Sequence, residues 1–282
     1  MKTFFDEIMQ FDIDGLRKLN SITKYPSILT YHNLGPRGSL VDSLVEDKNF
    51  HNTEVYITEK IDGTNSRIVF SVDEDGEVED FLIGSREDIL FAKGDRIVNP
   101  ALGIVKNMKE IADTVNLLAD FRNGNALTPN SIYCLYGETY GGKINNAKQY
   151  SSIGNYSVRV FDLWIMPHEE VEKLLDMNID QIASWREHGG QPFVDVDTLE
   201  QFCQRFCIAK VPYIRTALGE EIPLDLQGVW EWMQEFARSD AAIDATAQLT
   251  SEGIVVRLKD RSLIRKIRFE DYQKTKKMGL IK

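Results

Sequence analysis

The stretch from Glu54 to Val72 constrains this chain more than any other segment. Val55 and Ile57 alternate with Tyr56 and Thr58, the period-two pattern of a strand with one buried face. The run ends at Lys60, meets Asp62-Gly63, and resumes as the apolar stretch Arg67 to Val72. Asp-Gly between two such runs predicts a tight turn, with the second strand running back beside the first. Lys60 then stands at the lip of a pocket. A lysine in that position serves as a covalent nucleophile when desolvation or neighbouring cations strip its ammonium of a proton. Taken alone, the same residues favour a plain surface hairpin with a solvated lysine and a turn-forming Asp62. The rest of the chain shifts that balance.

Five further blocks follow in order: Gly84-Ser85-Arg86, Tyr136-Gly137-Glu138-Thr139-Tyr140-Gly141, Val160-Phe161-Asp162-Leu163, Glu252-Gly253-Ile254-Val255-Val256-Arg257 and Lys266-Ile267-Arg268. With Lys60-Ile61-Asp62-Gly63-Thr64-Asn65 they resemble the covalent nucleotidyltransferase superfamily of ATP-dependent DNA ligases, RNA ligases and mRNA capping enzymes. Within it the chain is most similar to the RNA ligase 2 family. Asn65 stands where DNA ligases usually carry arginine, Gly-Glu-Thr-Tyr-Gly has the RNA-ligase form, and Lys24-Tyr25-Pro26-Ser27-Ile28 is similar to the lead-in of such ligases. The blocks span residues 59–268, about three quarters of the chain.

The resemblance implies an α+β nucleotidyltransferase domain, with two antiparallel sheets flanking a nucleotide groove. It would occupy residues 1–282 as one domain, with 1–50 as a lead-in and 167–245 mainly helical. It implies an ATP-dependent RNA ligase that adenylates Lys60, passes AMP to an RNA 5′-phosphate, and seals that end to a 3′-hydroxyl. In that scheme Lys266 and Arg268 neutralise the triphosphate and favour the neutral Lys60 amine. Glu252 holds Mg²⁺, with Mn²⁺ as the alternative. Glu138 accepts from the ribose, Phe161 stacks on adenine, Arg86 and Arg257 contact ribose or phosphate, Asn65 orients the 5′-phosphate, and Glu59 frames the base. Two residues depart from the family pattern. Arg268 and Arg257 stand where lysines are usual, which keeps the charge but replaces a point ammonium with a planar fork. The rival readings are a DNA ligase, a capping-type guanylyltransferase, or a non-catalytic RNA-binding relative. The intact set of Lys60, Glu138, Glu252 and Lys266 argues against the last.

Composition sets outer bounds. A chain of 282 residues with 43% hydrophobic content suits one sizeable domain. No apolar run approaches membrane-spanning length, and the acidic start around Asp6, Glu7, Asp12 and Asp14 lacks the form of a secretory signal. Three cysteines fit a reducing compartment, so the expected location is the cytoplasm, a host's if phage-encoded. Cys203 and Cys207, four apart, are read as sharing a helix face and packing in the core rather than binding zinc. The net charge of −11 is unusual for a nucleic-acid partner. From Arg257 to Lys282, however, ten basic residues face three acidic ones, a local charge of about +7 that predicts a basic lip for strand ends. Only fourteen residues follow Arg268, too few for a downstream OB domain, so an accessory protein would supply any such grip on nucleic acid.

Helical spacing of Phe4, Phe5, Ile8, Met9 and Phe11 predicts an N-terminal helix followed by irregular chain. Further helices are expected over Ile104–Phe121, Glu169–Met177, Ile179–Glu187, Leu199–Phe206 and Leu226–Arg238. Strands are expected over Ser131–Tyr136, Ser157–Ile165, Ile254–Leu258 and Leu263–Arg268, with Asp75-Gly76 as a hairpin turn. Strands and helices segregated in this way argue for α+β rather than a doubly wound fold.

Overall fold

A computed structural model describes residues 2–9, 13–47, 49–92, 101–120 and 124–282. Its larger sheet is built from β4 (Thr64–Val72), β5 (Val78–Ser85), β6 (Ile89–Ala92), β7 (Ser131–Gly141) and β8 (Tyr156–Pro167), in the spatial order β6-β5-β4-β7-β8. A four-stranded sheet orders β11 (Ile264–Arg268), β10 (Gly253–Arg257), β3 (Glu54–Lys60) and β9 (Tyr213–Leu218). The strands β1 (His32–Leu34) and β2 (Leu40–Leu44) form a small hairpin. Every pairing between these strands is antiparallel, as an α+β ligase-type domain requires.

The turn expected at Asp62-Gly63 is corrected. The strands on either side of it, β3 and β4, lie in different sheets and do not pair. The link crosses from one sheet to the other, so the Lys60 motif sits at their junction. Gly63 makes the crossing possible: a Cβ there would lie 2.4 Å from the Thr139 carbonyl oxygen and 2.8 Å from Glu138 Cγ. At Asp75-Gly76, by contrast, β4 and β5 do form the expected hairpin, with Gly76 at φ +80°.

Two cores sandwich the larger sheet. One face packs on α3 (Ile104–Leu118) and α6 (Val196–Arg205) through Ile68, Phe70, Met108, Val115 and Phe202. The other packs on α1 (Phe4–Met9), α2 (Ile13–Thr23), α4 (His168–Leu175) and α5 (Ile179–Glu187) through Phe5, Leu19, Val69, Cys134, Trp164 and Ile182. Burial on both faces explains why β4 is closed to solvent at every position from Ser66 to Val72. The smaller sheet buries Val55, Ile57, Ile254, Val256 and Ile267 against α7 (Leu226–Met233) and α8 (Phe269–Lys277), and turns Tyr56, Thr58 and Lys60 toward a groove.

Several boundaries move. Two helices, α1 and α2, replace one helix and an irregular stretch; Phe11 lies outside the described residues, as do Phe121 and Asn123 at the expected end of α3. The α-helical part of the Leu226–Arg238 segment ends at Met233 and continues as a 3₁₀ turn. Within the expected helical region 167–245, β9 is a strand, and the basic C-terminal stretch is the helix α8. Cys203 is buried, but Cys207 lies beyond the end of α6, exposed and at φ 54°, so the two do not share a helix face.

Candidate active site

Strand register brings the catalytic candidates together. Gly253 on β10 is the partner of Lys60 on β3 and of Arg268 on β11, which puts Glu252, Lys60 and Arg268 at the same end of three bonded strands. Lys60 Nζ lies 2.6 Å from Glu252 Oε2. The Phe269 amide donates to the Glu252 carbonyl at 2.9 Å, tying the start of α8 to the same corner. Alternation along β11 turns Ile264, Lys266 and Arg268 into the groove, while Arg265 faces away and pairs with Glu46. The opposite wall comes from the larger sheet, where Asn65 on β4 and Glu138 on β7 are cross-strand partners and Phe161 follows on β8. The enclosed volume is about 400 Å³. The segment Tyr25–Ile28 also lines it. Beyond that segment, Leu29 and Tyr31 exchange backbone hydrogen bonds with Lys266, extending the sheet past β11.

The groove gathers like charges of both signs. Burial, reinforced by the carboxylates of Glu252 and Asp62, pushes the Glu138 carboxyl up to about 7 despite the attraction of Lys60. Burial also raises the Glu252 carboxyl, against the pull of Lys60. The Lys266 ammonium is lowered by burial first, then by Arg268 and Lys60 beside it. Among the described residues, Asn65 Oδ1 is buried with no hydrogen-bond partner, an acceptor left open on the groove wall. Among the described residues no group of three or more His, Cys, Asp or Glu side chains is placed to hold a metal ion. Glu252 and Glu138 are two carboxylates in one groove, which suits a Mg²⁺-type ion completed by substrate phosphates and water rather than an all-protein cage.

The other end of the groove is held by internal partners. Asp162, 1% exposed, sits between Arg257 Nη1 at 3.2 Å and Arg261 Nε, and accepts a further bond from the Tyr25 hydroxyl at 2.8 Å. Arg261 lies over the Phe193 ring at 3.5 Å, and Tyr25 meets Phe161 edge-on with centroids 5.1 Å apart. Arg257 thus lines the groove while its charge is answered by Asp162. Glu59 is buried: Ser239 Oγ and the Asp240 amide donate to its carboxylate, so it clamps the 239–241 loop. Arg86 stands at the rim, its side chain 66% exposed, with Glu87 3.6 Å away.

All ten sequence-derived candidates, Lys60, Lys266, Arg268, Glu59, Asn65, Arg86, Glu138, Phe161, Arg257 and Glu252, line this one groove. The expected basic lip is corrected: Arg257, Lys259, Arg261, Arg265, Arg268 and Lys274, six of its ten cations, are ion-paired within the chain. Sequence reasoning missed Asp162, Arg261 and Tyr150, whose hydroxyl accepts the Asp62 amide at 2.7 Å. Their partners lie 88 to 137 residues away, so no local pattern marks them. Asp62, read as a turn residue, also faces the groove, and Asn146 donates to its carboxylate.

Antiparallel sheets meeting at a lysine-centred groove define a nucleotidyltransferase-type fold, and comparison with known proteins agrees. The RNA ligase family model matches residues 53–275, and the chain belongs to that family. No curated protein sequence matches it. Among solved structures, Naegleria gruberi RNA ligase with PPi is similar at a TM-score of 0.53 and 14% identity, over 91% of this chain and 59% of that one. A mutant of the same ligase with ATP and Mn matches at a TM-score of 0.53 and 13% identity, over 90% and 59%. Another with AMP and Mn matches at 0.52 and 14%, over 90% and 58%. The chain thus spans somewhat under three fifths of the length of these ligases.

Proposed function

We propose that this chain is an ATP-dependent RNA ligase working through a lysyl-AMP intermediate on Lys60. The observation that carries the reading is the Lys60–Glu252 pair at 2.6 Å, set in one groove with Lys266 and Arg268. The Lys60 amine, freed of its proton, attacks the α-phosphorus of ATP; a P–N bond forms, the α–β P–O bond breaks, and pyrophosphate leaves. An oxygen of an RNA 5′-phosphate then attacks the same phosphorus, breaking the P–N bond and returning the lysine. A 3′-hydroxyl finally attacks the activated 5′-phosphorus, releasing AMP and closing the phosphodiester. Such transfers depend mainly on positioning and charge neutralisation.

In this reading Lys266 and Arg268 meet the leaving pyrophosphate, and Glu138 accepts from the ribose. Phe161 packs on the adenine, Asn65 orients the 5′-phosphate end by donating from its Nδ2 amide, and Arg86 meets the strand at the rim. Glu59 and Arg257 act from behind, fixing the loop and wall that frame the base. Glu252, with Glu138 nearby, would hold a Mg²⁺ or Mn²⁺ ion that neutralises phosphate charge. Residues 1–282 work as one nucleotidyltransferase domain whose lead-in forms part of the groove. The partner is RNA bearing 5′-phosphate and 3′-hydroxyl ends. The six internally paired cations favour an accessory protein or domain for a wider grip. Three free cysteines fit action in the cytoplasm. Among the described residues no helix is long and apolar enough to cross a membrane.

The test is labelling with α-³²P-ATP. The expected result is an acid-labile covalent label with Mg²⁺ or Mn²⁺, absent in Lys60→Ala. No label under any metal overturns the reading, and labelling by GTP alone favours a guanylyltransferase.

A further inference from the structure

Arg268 stands where the resembled family places a lysine, and the structure shows what an arginine does there that a lysine does not. Its Nε donates to Asp271 Oδ2 at 2.9 Å and its Nη2 to Asp271 Oδ1 at 2.8 Å, a parallel two-bond fork. Asp271 is in the first turn of α8 and its side chain is 4% exposed, against 27% for Arg268. Arg268 lines the groove and Asp271 does not. The carboxylate therefore backs the guanidinium from the protein side. One edge of the fork is consumed, and among the described residues Nη1 makes no hydrogen bond. An ammonium has no planar edge, so a lysine at 268 would either collapse onto Asp271 or move freely about it.

The placement of Asp271 is itself well determined. It follows β11 by three residues, an acidic group in the first turn of a helix, where the backbone amides favour negative charge. Tyr272 and Phe269 of the same turn are buried in the core behind the smaller sheet. Arg268, at the end of β11, is thus braced by a helix anchored in the core, next to Lys60 and Glu252 across the β10 register.

We propose that Asp271 is a positioning residue that aims the free edge of the Arg268 guanidinium at the pyrophosphate portion of the bound nucleotide. This rests on the ligase reading above for the identity of the ligand. It adds that position 268 is specific for arginine here because the residue three places later supplies a two-oxygen brace. The negative charge of Asp271 also offsets the mutual repulsion of Arg268 and Lys266, so both cations are retained at the same phosphate.

The experiment uses the full chain and three variants, Asp271→Asn, Arg268→Lys and the double substitution. The probes are inorganic pyrophosphate and AMP, with binding followed by calorimetry and folding by thermal melts. Each single substitution is expected to weaken pyrophosphate binding by about 10-fold or more, and the double to cost no more than either one, because both break the same brace. AMP binding should hold within about 2-fold, since AMP lacks the pyrophosphate that Arg268 is aimed at. Additive losses, an unchanged pyrophosphate affinity in Asp271→Asn, or no pyrophosphate binding by the parent chain each overturn the proposal. Parallel loss of AMP and pyrophosphate binding with a lowered melting temperature assigns Asp271 to structure alone and overturns it as well. Failure of the ligase reading registers separately, as absence of covalent label from ATP in a parent chain that still binds pyrophosphate.

Discussion

The two ends of the groove solve opposite problems. At the Phe161 end, one buried carboxylate, Asp162, is shared by Arg257, Arg261 and the Tyr25 hydroxyl, and aromatic rings fill the space around them. Its charges are answered inside the chain. At the Lys60 end, Lys60, Lys266 and Arg268 crowd together, and desolvation raises both the Glu138 and the Glu252 carboxyl. There Lys60 pairs with Glu252 and Arg268 with Asp271, while among the described residues Lys266 has no ion pair, so a half-buried cation is left beside two others at a cost in stability. The first end is built as a wall and the second as a receptor.

Substitutions can separate the two. Asp162→Ala removes the shared anion and strands two buried guanidinium groups, so unfolding free energy should fall by about 3–5 kcal/mol in urea titrations. Lys266→Met, at the other end, should leave stability unchanged or slightly raised, while lysyl-AMP formation in a quench-flow assay drops by about 100-fold or more. A stable, active Asp162→Ala, or a Lys266→Met that unfolds, would erase the distinction between wall and receptor.

Glu138 sharpens the comparison through pH. Its folded pKa of about 7 lies above the ordinary carboxylate value of 4.5, so between these values the folded state binds more protons than the unfolded one. Stability from this group is fully present below about pH 4.5 and is lost as pH rises through 7, by about 3 kcal/mol. Unfolding measured from pH 5 to 8 should therefore show a downward slope in the parent that is flattened in Glu138→Gln; equal slopes would remove Glu138 from the receptor's uncompensated charge. The smallest effect belongs to the rim. Arg86 and Glu87 are both largely exposed and 3.6 Å apart, so Arg86→Ala should change stability by less than about 0.5 kcal/mol. A loss of strand sealing in that variant without loss of lysyl-AMP formation would place Arg86 at the nucleic acid rather than the nucleotide.

Much of the receptor was legible in the chain itself because its residues occur in short runs on strands. Lys60, Asn65, Glu138, Glu252, Lys266 and Arg268 lie at or near strand ends whose apolar alternation is readable locally. The wall was not. Asp162 looked like a neighbour of Phe161, and nothing near it in sequence announces Arg257, Arg261 or Tyr25 as partners. The strand β9 has a weak pattern because it is an edge strand, exposed at Tyr213 and Leu218, and its pairing with β3 spans about 160 residues. The helix α8 buries Phe269, Tyr272 and Thr275 at three-residue spacing within a charged stretch, so it read as a basic end.

What the residue order supplied unaided was a set of candidate charged and polar side chains, together with the strands that display them, since alternation and turn residues act over a few positions. Which strands pair was settled only by the folded molecule. The link at Asp62-Gly63 is compatible with a hairpin and with a crossing, and the crossing prevails because β3 finds β9 and β10 while β4 finds β5 and β7. Hydrophobic patterning directs a face toward a core but does not name the partner strand, and the groove exists only because the two strands part at Lys60.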